Sequence, residues 1–259
     1  MKTVLVSGAT RGLGRAIALE LVGAGYRVIG TGRGPEAPSD WPARNGLTYA
    51  SLDLEQIETV HEFVLRVQKE HGPLYGLVNN AAIGGDGLLA TMSEALLAQV
   101  VTVNLMGSLM LTKYAVRSML LGGEGGRVVS LASIVATTGF KGLSVYAGCK
   151  GGLVSFSKSL AREVGAAGIT VNCVSPGFLE TEMTSGLEGS QLEQIRRRTP
   201  LGELVAVDDV TLDYFRGKPL APEGEQALPT LSSSLTVTGT HMLICKHWRV
   251  PIASDNRTR

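Results

Sequence analysis

Cysteine and net charge are both scarce in this chain of 259 residues. Its three cysteines are too few and too scattered for a disulfide framework, which is typical of a reduced, intracellular compartment. Basic and acidic side chains nearly cancel, leaving a formal net charge of +1, so no global charge favours nucleic acid or an anionic membrane surface. The strongest basic cluster, three arginines at 196–198, lacks interleaved aromatic residues and is typical of a solvated helix face.

Long apolar runs are also lacking. The apolar stretch near the N-terminus is too short for a signal peptide, and we expect no segment to approach the roughly 20 apolar residues of a membrane-spanning helix. The sequence therefore predicts a cytoplasmic protein with neither a membrane nor a nucleic-acid partner. With 44% hydrophobic residues the chain can bury a substantial core, and a single domain over 1–259 is the simplest organisation.

What the chain does have, up to about residue 175, is an alternation of short β-branched runs with longer helical stretches. Strands are predicted at 3–6, 27–30, 47–52, 74–78, 127–131 and 169–174, and helices at 14–22, 55–69, 94–121 and 146–164. This alternation predicts an α/β fold with a doubly wound, Rossmann-type parallel sheet that binds ligands at the carboxyl ends of its strands. Prolines and serines between 216 and 234 predict a loop or a poorly ordered insertion.

A glycine-rich segment follows the first predicted strand and opens into a helix. Its glycines allow a tight turn, so that backbone N–H groups and the helix N-terminus can approach a pyrophosphate. The spacing is Gly-x3-Gly-x-Gly, and three glycines alone are weak evidence because turns collect glycine. Their position between strand and helix nevertheless favours dinucleotide binding. The candidate cofactor-binding residues here are Gly8, Thr10, Arg11, Gly12, Leu13 and Gly14.

The second predicted strand leads into Arg33, and no acidic residue stands at its end. An NAD-selective site usually carries a carboxylate there for the ribose 2′-hydroxyl. Arg33 and Arg11 could instead bind a 2′-phosphate, which favours NADP(H), although both could be merely solvated. Asp53, after the third strand, could accept a hydrogen bond from adenine, or it could cap the helix that begins near Glu55; the sequence leaves both open.

Tyr146 and Lys150 lie four residues apart on a predicted helix, which places both side chains on one face. A free tyrosine has a pKa near 10, and we expect the neighbouring ammonium to lower it. Such a phenol could donate a proton to a carbonyl oxygen as hydride arrives at carbon. The same spacing also occurs on ordinary exposed helices.

In these motifs the chain resembles the short-chain dehydrogenase/reductase family. The matches to the family pattern, over about residues 1–200, are Gly8, Gly12 and Gly14, then Asn79-Asn80-Ala81-Ala82, Asn104, Ser133, Tyr146 with Lys150, Pro176-Gly177, and Thr181. The resemblance implies that Tyr146 is the general acid/base, that Lys150 lowers its pKa and binds the nicotinamide ribose, and that Ser133 holds the substrate oxygen. It further implies that Asn104 positions a water linking Lys150 to solvent, and that Asn80, Pro176, Gly177 and Thr181 line the cofactor site.

Within the family, segments 157–164 and 175–184 are most similar to 3-oxoacyl-(acyl-carrier-protein) reductases. The resemblance implies a carbonyl substrate, 3-oxoacyl or small, a role in fatty acid biosynthesis, and a homo-oligomer, normally a tetramer. Those enzymes carry two arginines that dock the acidic carrier protein, and Glu124 and Ala167 stand at these positions by spacing. A carboxylate there would repel an acidic partner, which argues against delivery by a carrier protein.

The region 210–259 departs from the family pattern. Ile244-Cys245-Lys246-His247 stands where the family has Val-Asp-Gly-Gly, and Ala82 replaces a family glycine. Because this region contributes to the family's substrate pocket and tetramer interface, a cofactor-binding regulatory or scaffold protein with impaired catalysis stays open as an alternative to a carbonyl reductase. An NAD-dependent alcohol dehydrogenase working in the oxidative direction is a further alternative. His241, Cys245 and His247 could share a strand face, but no fourth ligand is evident and we predict no metal site.

Overall fold

A twisted sheet of eight strands organises the molecule. The computed structural model describes residues 1–178 and two further strands at 234–237 and 240–244. The strands are β1 (Thr3–Val6), β2 (Arg27–Gly32), β3 (Leu47–Ser51), β4 (Leu74–Asn79), β5 (Gly126–Leu131), β6 (Ile169–Ser175), β7 (Ser234–Val237) and β8 (Thr240–Ile244). Their order across the sheet is β3-β2-β1-β4-β5-β6-β8-β7. All neighbours pair in parallel except β7 with β8, so the predicted doubly wound parallel sheet is confirmed with an antiparallel pair added at one edge.

Helices connect the parallel strands and cover both faces of the sheet. They are α1 (Gly12–Gly23), α2 (Val60–His71), α3 (Glu94–Val101), α4 (Ser108–Gly122), α5 (Val135–Thr138) and α6 (Ser144–Val164). A π-helical segment, Thr102–Gly107, joins α3 to α4, and short 3₁₀ turns lie at Ile57–Thr59, Leu89–Thr91 and Gly165–Ala167.

The core forms two layers because neighbouring residues of a strand point to opposite faces of the sheet. Leu5 packs on one face in a cluster with side chains of α2, α4 and α6, whereas Val4 and Val6 pack on the other face with α1. All four residues of β1 are buried, as expected for a central parallel strand covered on both sides. Each fully buried Val or Leu side chain contributes about 1.5–3 kcal/mol through the hydrophobic effect.

The structure differs from the sequence-based elements at four places. The predicted helix 55–69 begins as a 3₁₀ turn and becomes α-helical only at Val60. The predicted helix 94–121 is interrupted by the π-helical segment, and the short helix α5 was not predicted. Strand β7 begins at Ser234, which the composition had placed in a loop. Cys245 and His247, two of the three side chains weighed for zinc, lie outside the described residues.

The stretch Glu94–Gly122 tests the expectation that no segment could span a membrane. By length and composition alone this 29-residue stretch is long and apolar enough to do so, and the expectation was therefore too strict. Leu111, Ala115 and Met119 from this stretch are fully buried against the sheet and α2. Core helices of soluble proteins pass the same test, so the stretch is weak evidence for a membrane span.

Candidate active site

Most of the candidate residues gather where the strand order reverses, between β1 and β4. The chain proceeds from β1 to β2 on one side, and from β4 to β5 on the other, which opens a crevice beyond the carboxyl ends of β1 and β4. Because the strands are parallel, the loops that follow β1, β4, β5 and β6 reach the same edge of the sheet. The site is built from these loops and from the first turns of α1 and α6.

The glycine-rich loop between β1 and α1 is shaped by its three glycines. Gly8 and Gly12 adopt φ values of +65° and +52°, which side chains other than glycine rarely adopt. A Cβ at Gly14 would clash with the Gly8 carbonyl and the Asn80 side-chain amide, whereas no described atom lies within 4 Å of a Cβ at Gly12. A side chain at position 14 would therefore not fit, whereas the space beside Gly12 is open. The first N–H groups of α1 lie at this open side and have no intrahelical acceptor.

Asn80 fastens this loop to the end of β4. Its Nδ2 donates to the carbonyl oxygens of Ser7 and Gly8, each at 3.0 Å. The Ser7 hydroxyl in turn accepts the N–H groups of Asn80 at 3.0 Å and Ala81 at 3.1 Å. The structure therefore places Asn80 beneath the predicted cofactor loop, with its amide engaged in holding that loop.

Arg11 and Arg33 are both exposed, on the loops that follow β1 and β2. The methyl group of Thr10 packs so closely on Gly32 that a Cβ there would clash with it, which holds the two loops together. Leu13, by contrast, is buried in the core, so only its backbone could face a dinucleotide. The two cations therefore lie on neighbouring loops at the β1–β2 side of the crevice.

The loop after β2 is anchored by contacts that the sequence did not predict. Arg15 of α1 forms an ion pair with Asp40 at 2.7 Å and lowers the pKa of that carboxyl group. Trp41 packs directly on Gly30 of β2, and its ring contacts the edge of Tyr49. A lone tryptophan in an otherwise polar loop was the signal that could have indicated this anchor.

Asp53 lies after β3, and its Oδ1 accepts the N–H of Glu55 at 3.0 Å. This contact is a local Asx turn and not the helix N-cap of the second sequence-based alternative, because Gln56 is the N-cap residue of the following 3₁₀ turn and Thr59 precedes α2. It occurs just before the 3₁₀ turn Ile57–Thr59, and the first α-helical residue is several positions further on.

Tyr146 and Lys150 lie one turn apart in α6, as their spacing predicted. The Lys150 Nζ lies 5.5 Å from the centroid of the Tyr146 ring. Lys150 is only 3% exposed, and its ammonium donates to the carbonyl oxygen of Leu131 at 2.7 Å, at the end of β5. This carbonyl, which no sequence motif marks, fixes the ammonium beside the phenol.

Burial dominates the protonation of both groups. It raises the pKa of Tyr146 to about 12, with Asp86 and Cys149 acting in the same direction. It lowers the pKa of Lys150 to about 8. The net shift of the Tyr146 pKa is therefore upward, opposite to the lowering expected from the sequence, because desolvation of the phenolate is its largest cause.

Ser133 and the segment Pro176-Gly177 complete the catalytic side of the crevice. Ser133 follows β5, and its Oγ accepts the N–H of Val135 at 3.4 Å. The N–H of Ile134 donates to the Pro176 carbonyl at 3.0 Å, which ties the loops after β5 and β6 together. Pro176 is buried and Gly177 is half-buried. Thr181 lies outside the described residues.

Asn104 is completely buried within the π-helical segment. Its side-chain amide pairs with the backbone of Ile83, accepting from the N–H at 2.8 Å and donating to the carbonyl at 2.9 Å. These two hydrogen bonds tie the π-helical segment to the loop that follows β4. The side chain does not reach Lys150 by any contact among the described residues.

Two features at the mouth of the crevice escaped the sequence analysis. Asp86 lies near enough to Tyr146 to raise its pKa, in a loop joined to the start of α6 by a 3.0 Å hydrogen bond from the Gly87 N–H to the Gly142 carbonyl. Phe140 and Phe178 meet edge to face, with centroids 6.0 Å apart. A single charge between two glycines, in the loop that follows a predicted strand, was the signal that could have indicated Asp86.

These residues fit a nicotinamide dinucleotide. The open space before Gly12, the N-terminus of α1 and the positive charges of Arg11 and Arg33 suit a pyrophosphate and its adenosine end. Tyr146, Lys150 and Ser133 stand at the opposite end, where a nicotinamide would meet its substrate. Among the described residues no group of three His, Cys, Asp or Glu side chains could hold a metal ion.

Comparisons with known proteins agree with this arrangement. The family model described as short chain dehydrogenase matches residues 2–191. The chain is 41% identical over 214 residues to the 3-oxoacyl-(acyl-carrier-protein) reductase FabG of Escherichia coli (strain K12), covering 81% of this chain and 86% of that protein. It is 38% identical over 206 residues to the enzyme of the same name from Vibrio harveyi, covering 78% and 84%.

Among solved structures, the chain is similar to the crystal structure of a protein named as a short-chain alcohol dehydrogenase from Sinorhizobium meliloti 1021. The TM-score is 0.76 at 28% identity, over 81% of this chain and 85% of that one. With a family model over residues 2–191 and relatives above 40% identity across most of their length, the chain belongs to the short-chain dehydrogenase family and is an oxidoreductase.

Proposed function

We propose that the protein is an NADPH-dependent reductase that transfers hydride to a ketone, a 3-oxoacyl thioester or a small carbonyl compound, with Tyr146 as the general acid. The observation that carries this proposal is the Tyr146–Lys150 pair. Both side chains are held at the carboxyl edge of the sheet, opposite the glycine-rich loop, and the ammonium is fixed by the Leu131 carbonyl.

The chemistry follows from the positions of these groups. The reduced nicotinamide, when bound, supplies the hydride to the carbonyl carbon. Ser133 holds the carbonyl oxygen by a hydrogen bond, and Tyr146 donates its phenolic proton to that oxygen as negative charge develops on it. The Lys150 ammonium stabilises the phenolate that remains until it is reprotonated. Asn104 is proposed to orient the route by which that proton returns.

The raised pKa of Tyr146 suits its proposed role as a proton donor. A phenol with a pKa of about 12 keeps its proton throughout the neutral range, as a proton donor must. The same side chain would accept a proton in the reverse reaction. The preference between NADPH and NADH therefore separates this proposal from the alternative of an NAD-dependent alcohol dehydrogenase.

The choice of NADP(H) rests on Arg11 and Arg33. Both guanidinium groups are exposed on adjacent loops at the adenosine end, where a 2′-phosphate would form charge-assisted hydrogen bonds. We place the remaining cofactor contacts on the glycine-loop backbone, on Pro176, Gly177 and Thr181, and on Tyr146 with Lys150. Asn80 supports the loop, and Asp53 is proposed at the adenine end.

The names of the relatives support a 3-oxoacyl substrate in fatty acid biosynthesis. Glu124 and Ala167 precede β5 and β6, at the edge of the sheet opposite the catalytic end. A carrier protein is therefore not favoured as the delivering partner at these positions. We further propose a single-domain, cytoplasmic enzyme that forms a homo-oligomer, a tetramer in keeping with the family.

The test is Tyr146→Phe, which removes the phenolic proton and little else. We expect kcat for ketone reduction to fall by about 10²–10⁴-fold, with the Kd for NADPH, measured by nucleotide fluorescence, within about twofold of wild type. The matched control is Tyr114→Phe, because Tyr114 of α4 stacks on His61 away from the crevice. Undiminished turnover in Tyr146→Phe would overturn the mechanism.

The same measurements address the remaining alternative of a regulatory or scaffold protein. If the wild-type protein binds NADPH but reduces no ketone in a panel of small ketones and 3-oxoacyl thioesters, the proposal of a reductase fails and the regulatory alternative takes its place.

A further inference from the structure

A string of buried polar side chains leads from the end of β4 to Asn104. Asn79 donates from Nδ2 to the hydroxyls of Thr112, at 2.8 Å, and of Ser130, at 3.2 Å. The Thr112 hydroxyl donates to the Ser108 carbonyl at 2.7 Å, and the Ser108 hydroxyl donates to the Asn104 carbonyl at 3.3 Å. All of these side chains are at most 2% exposed, so no hydrogen bond in the string competes with bulk water.

The direction of each hydrogen bond is fixed. Because Thr112 accepts from the Asn79 amide, its single hydroxyl proton is left for the Ser108 carbonyl. Ser108 is the first residue of α4 and directly follows the π-helical segment that contains Asn104. A π-helical segment departs from the regular α-helical hydrogen-bond ladder, and here the Ser108 hydroxyl gives the Asn104 carbonyl a side-chain donor.

From these contacts we propose that Asn79 is a positioning residue for Asn104, acting through Thr112 and Ser108. Asn79 does not reach the crevice itself. It holds the start of α4 in register with β4, and so presents the Asn104 amide to the backbone of Ile83. The proposal rests on the proposed function only in assigning Asn104 to the reaction centre.

The sequence neighbour of Asn79 performs the matching task on the other face of the sheet. Asn80 holds the glycine-rich loop, while Asn79 holds α4, the helix that directly follows the segment containing Asn104. Adjacent residues at the end of β4 thus fix the cofactor side and the catalytic side of the same crevice.

The test compares Thr112→Val, which removes the hydroxyl at nearly constant shape, with Thr112→Ser, which retains it. The first readout is hydrogen exchange at the Ile83 amide, which donates to the Asn104 side chain. We expect exchange about tenfold faster in Thr112→Val, the effect of weakening about one hydrogen bond, and near the wild-type rate in Thr112→Ser. The second readout is ketone reduction. In Thr112→Val we expect a lower kcat and a larger solvent isotope effect, with the KM for NADPH unchanged. In Thr112→Ser we expect kcat and the isotope effect to return to their wild-type values.

Ser118→Ala is the matched control. Ser118 is another buried hydroxyl of α4, but it accepts from the Leu74 N–H at 3.0 Å, outside the string. The Ser118→Ala variant should have a lower free energy of unfolding, with hydrogen exchange at the Ile83 amide and the solvent isotope effect unchanged. Equal Ile83 exchange in Thr112→Val, Thr112→Ser and wild type would overturn the proposal. Undiminished activity in Tyr146→Phe would instead overturn the proposed function. The role of Asn79 would still be decided by hydrogen exchange at the Ile83 amide.

Discussion

At the scale of single residues, the chemistry of the site follows from the full burial of Lys150 and the partial burial of Tyr146. Burial disfavours the charged form of either group, and therefore raises the pKa of the phenol and lowers that of the amine. At neutral pH both retain their protons, so the phenol can donate and the ammonium can stabilise the resulting phenolate. Asp86 strengthens the first effect from the rim of the crevice.

Arg33 gives a prediction at this scale. Arg33→Ala should weaken NADPH binding by about tenfold or more, the loss of a charge-assisted hydrogen bond to a 2′-phosphate, and should change NADH binding by less than about twofold. Isothermal titration with each nucleotide measures both. Arg117→Ala, which removes an exposed guanidinium from α4, is the control. An equal loss for the two nucleotides in Arg33→Ala would contradict the assignment of Arg33 to the 2′-phosphate.

The residues that sequence reasoning could find are those whose spacing carries information. Tyr146 and Lys150 were predicted to share a helix face, because four residues make about one turn, and they do. The Leu131 carbonyl and the effect of Asp86 were not predictable, because each depends on contacts between distant parts of the chain. The sign of the Tyr146 pKa shift was wrong for the same reason, since the degree of burial is a tertiary property.

At the scale of elements, the turn from β1 into α1 depends on close backbone contacts. Gly8 adopts a positive φ, and Gly14 lies against the Gly8 carbonyl and the Asn80 amide. The position of this turn after a strand was predictable from glycine spacing. The π-helical segment at Thr102–Gly107 was not, because a hydrophobic pattern does not reveal one inserted residue in a long helix.

Two glycines of α1 provide a matched pair of substitutions. Gly14→Ala should destabilise the protein by about 1–3 kcal/mol through overpacking and should also weaken NADPH binding, because the added methyl group displaces either the Gly8 carbonyl or Asn80. Gly23→Ala meets no described atom within 4 Å and should stabilise by about 0.5 kcal/mol. Urea denaturation gives both values. A neutral Gly14→Ala would show that the loop can relax around the new methyl group.

At the scale of the whole molecule, the free energy of unfolding includes the cost of burying the charged Lys150 ammonium in the protein interior. The pKa of Lys150 falls from 10.5 to about 8 on folding, so between these values the unfolded chain binds more protons than the folded one. Stability from this group therefore rises with pH across that window. Below pH 8 the buried ammonium costs about 3 kcal/mol, taking about 1.4 kcal/mol for each pKa unit.

Lys150→Met should therefore abolish reduction while raising the free energy of unfolding by about 1–3 kcal/mol at pH 7. The advantage over wild type should shrink as the pH rises from 8 to 10.5, because wild-type Lys150 then loses its charge. Urea titrations of both proteins at several pH values measure this difference. Lys141→Met, at an exposed lysine before α6, should show no such trend, and a destabilised Lys150→Met would contradict the predicted cost.

The overall architecture was the most predictable level. Alternating strand and helix patterns gave the six parallel strands and their crossovers, because strands buried on both faces leave nearly continuous apolar runs. The β7–β8 pair was harder to predict from the sequence, because prolines and serines precede it. Its pairing with β6 also joins segments more than 60 residues apart.

Asn79 contacts α4, and Asn80 contacts the glycine-rich loop. These separate contacts limit how the length of β4 can change during evolution. Adjacent side chains at the end of β4 point to opposite faces, so inserting or deleting one residue in that strand would turn each amide to the wrong face. Both the glycine-rich loop and the start of α4 would lose their anchors in a single event. Length changes should therefore accumulate in surface loops such as 33–46, while the length of β4 stays constant among descendants that keep their activity.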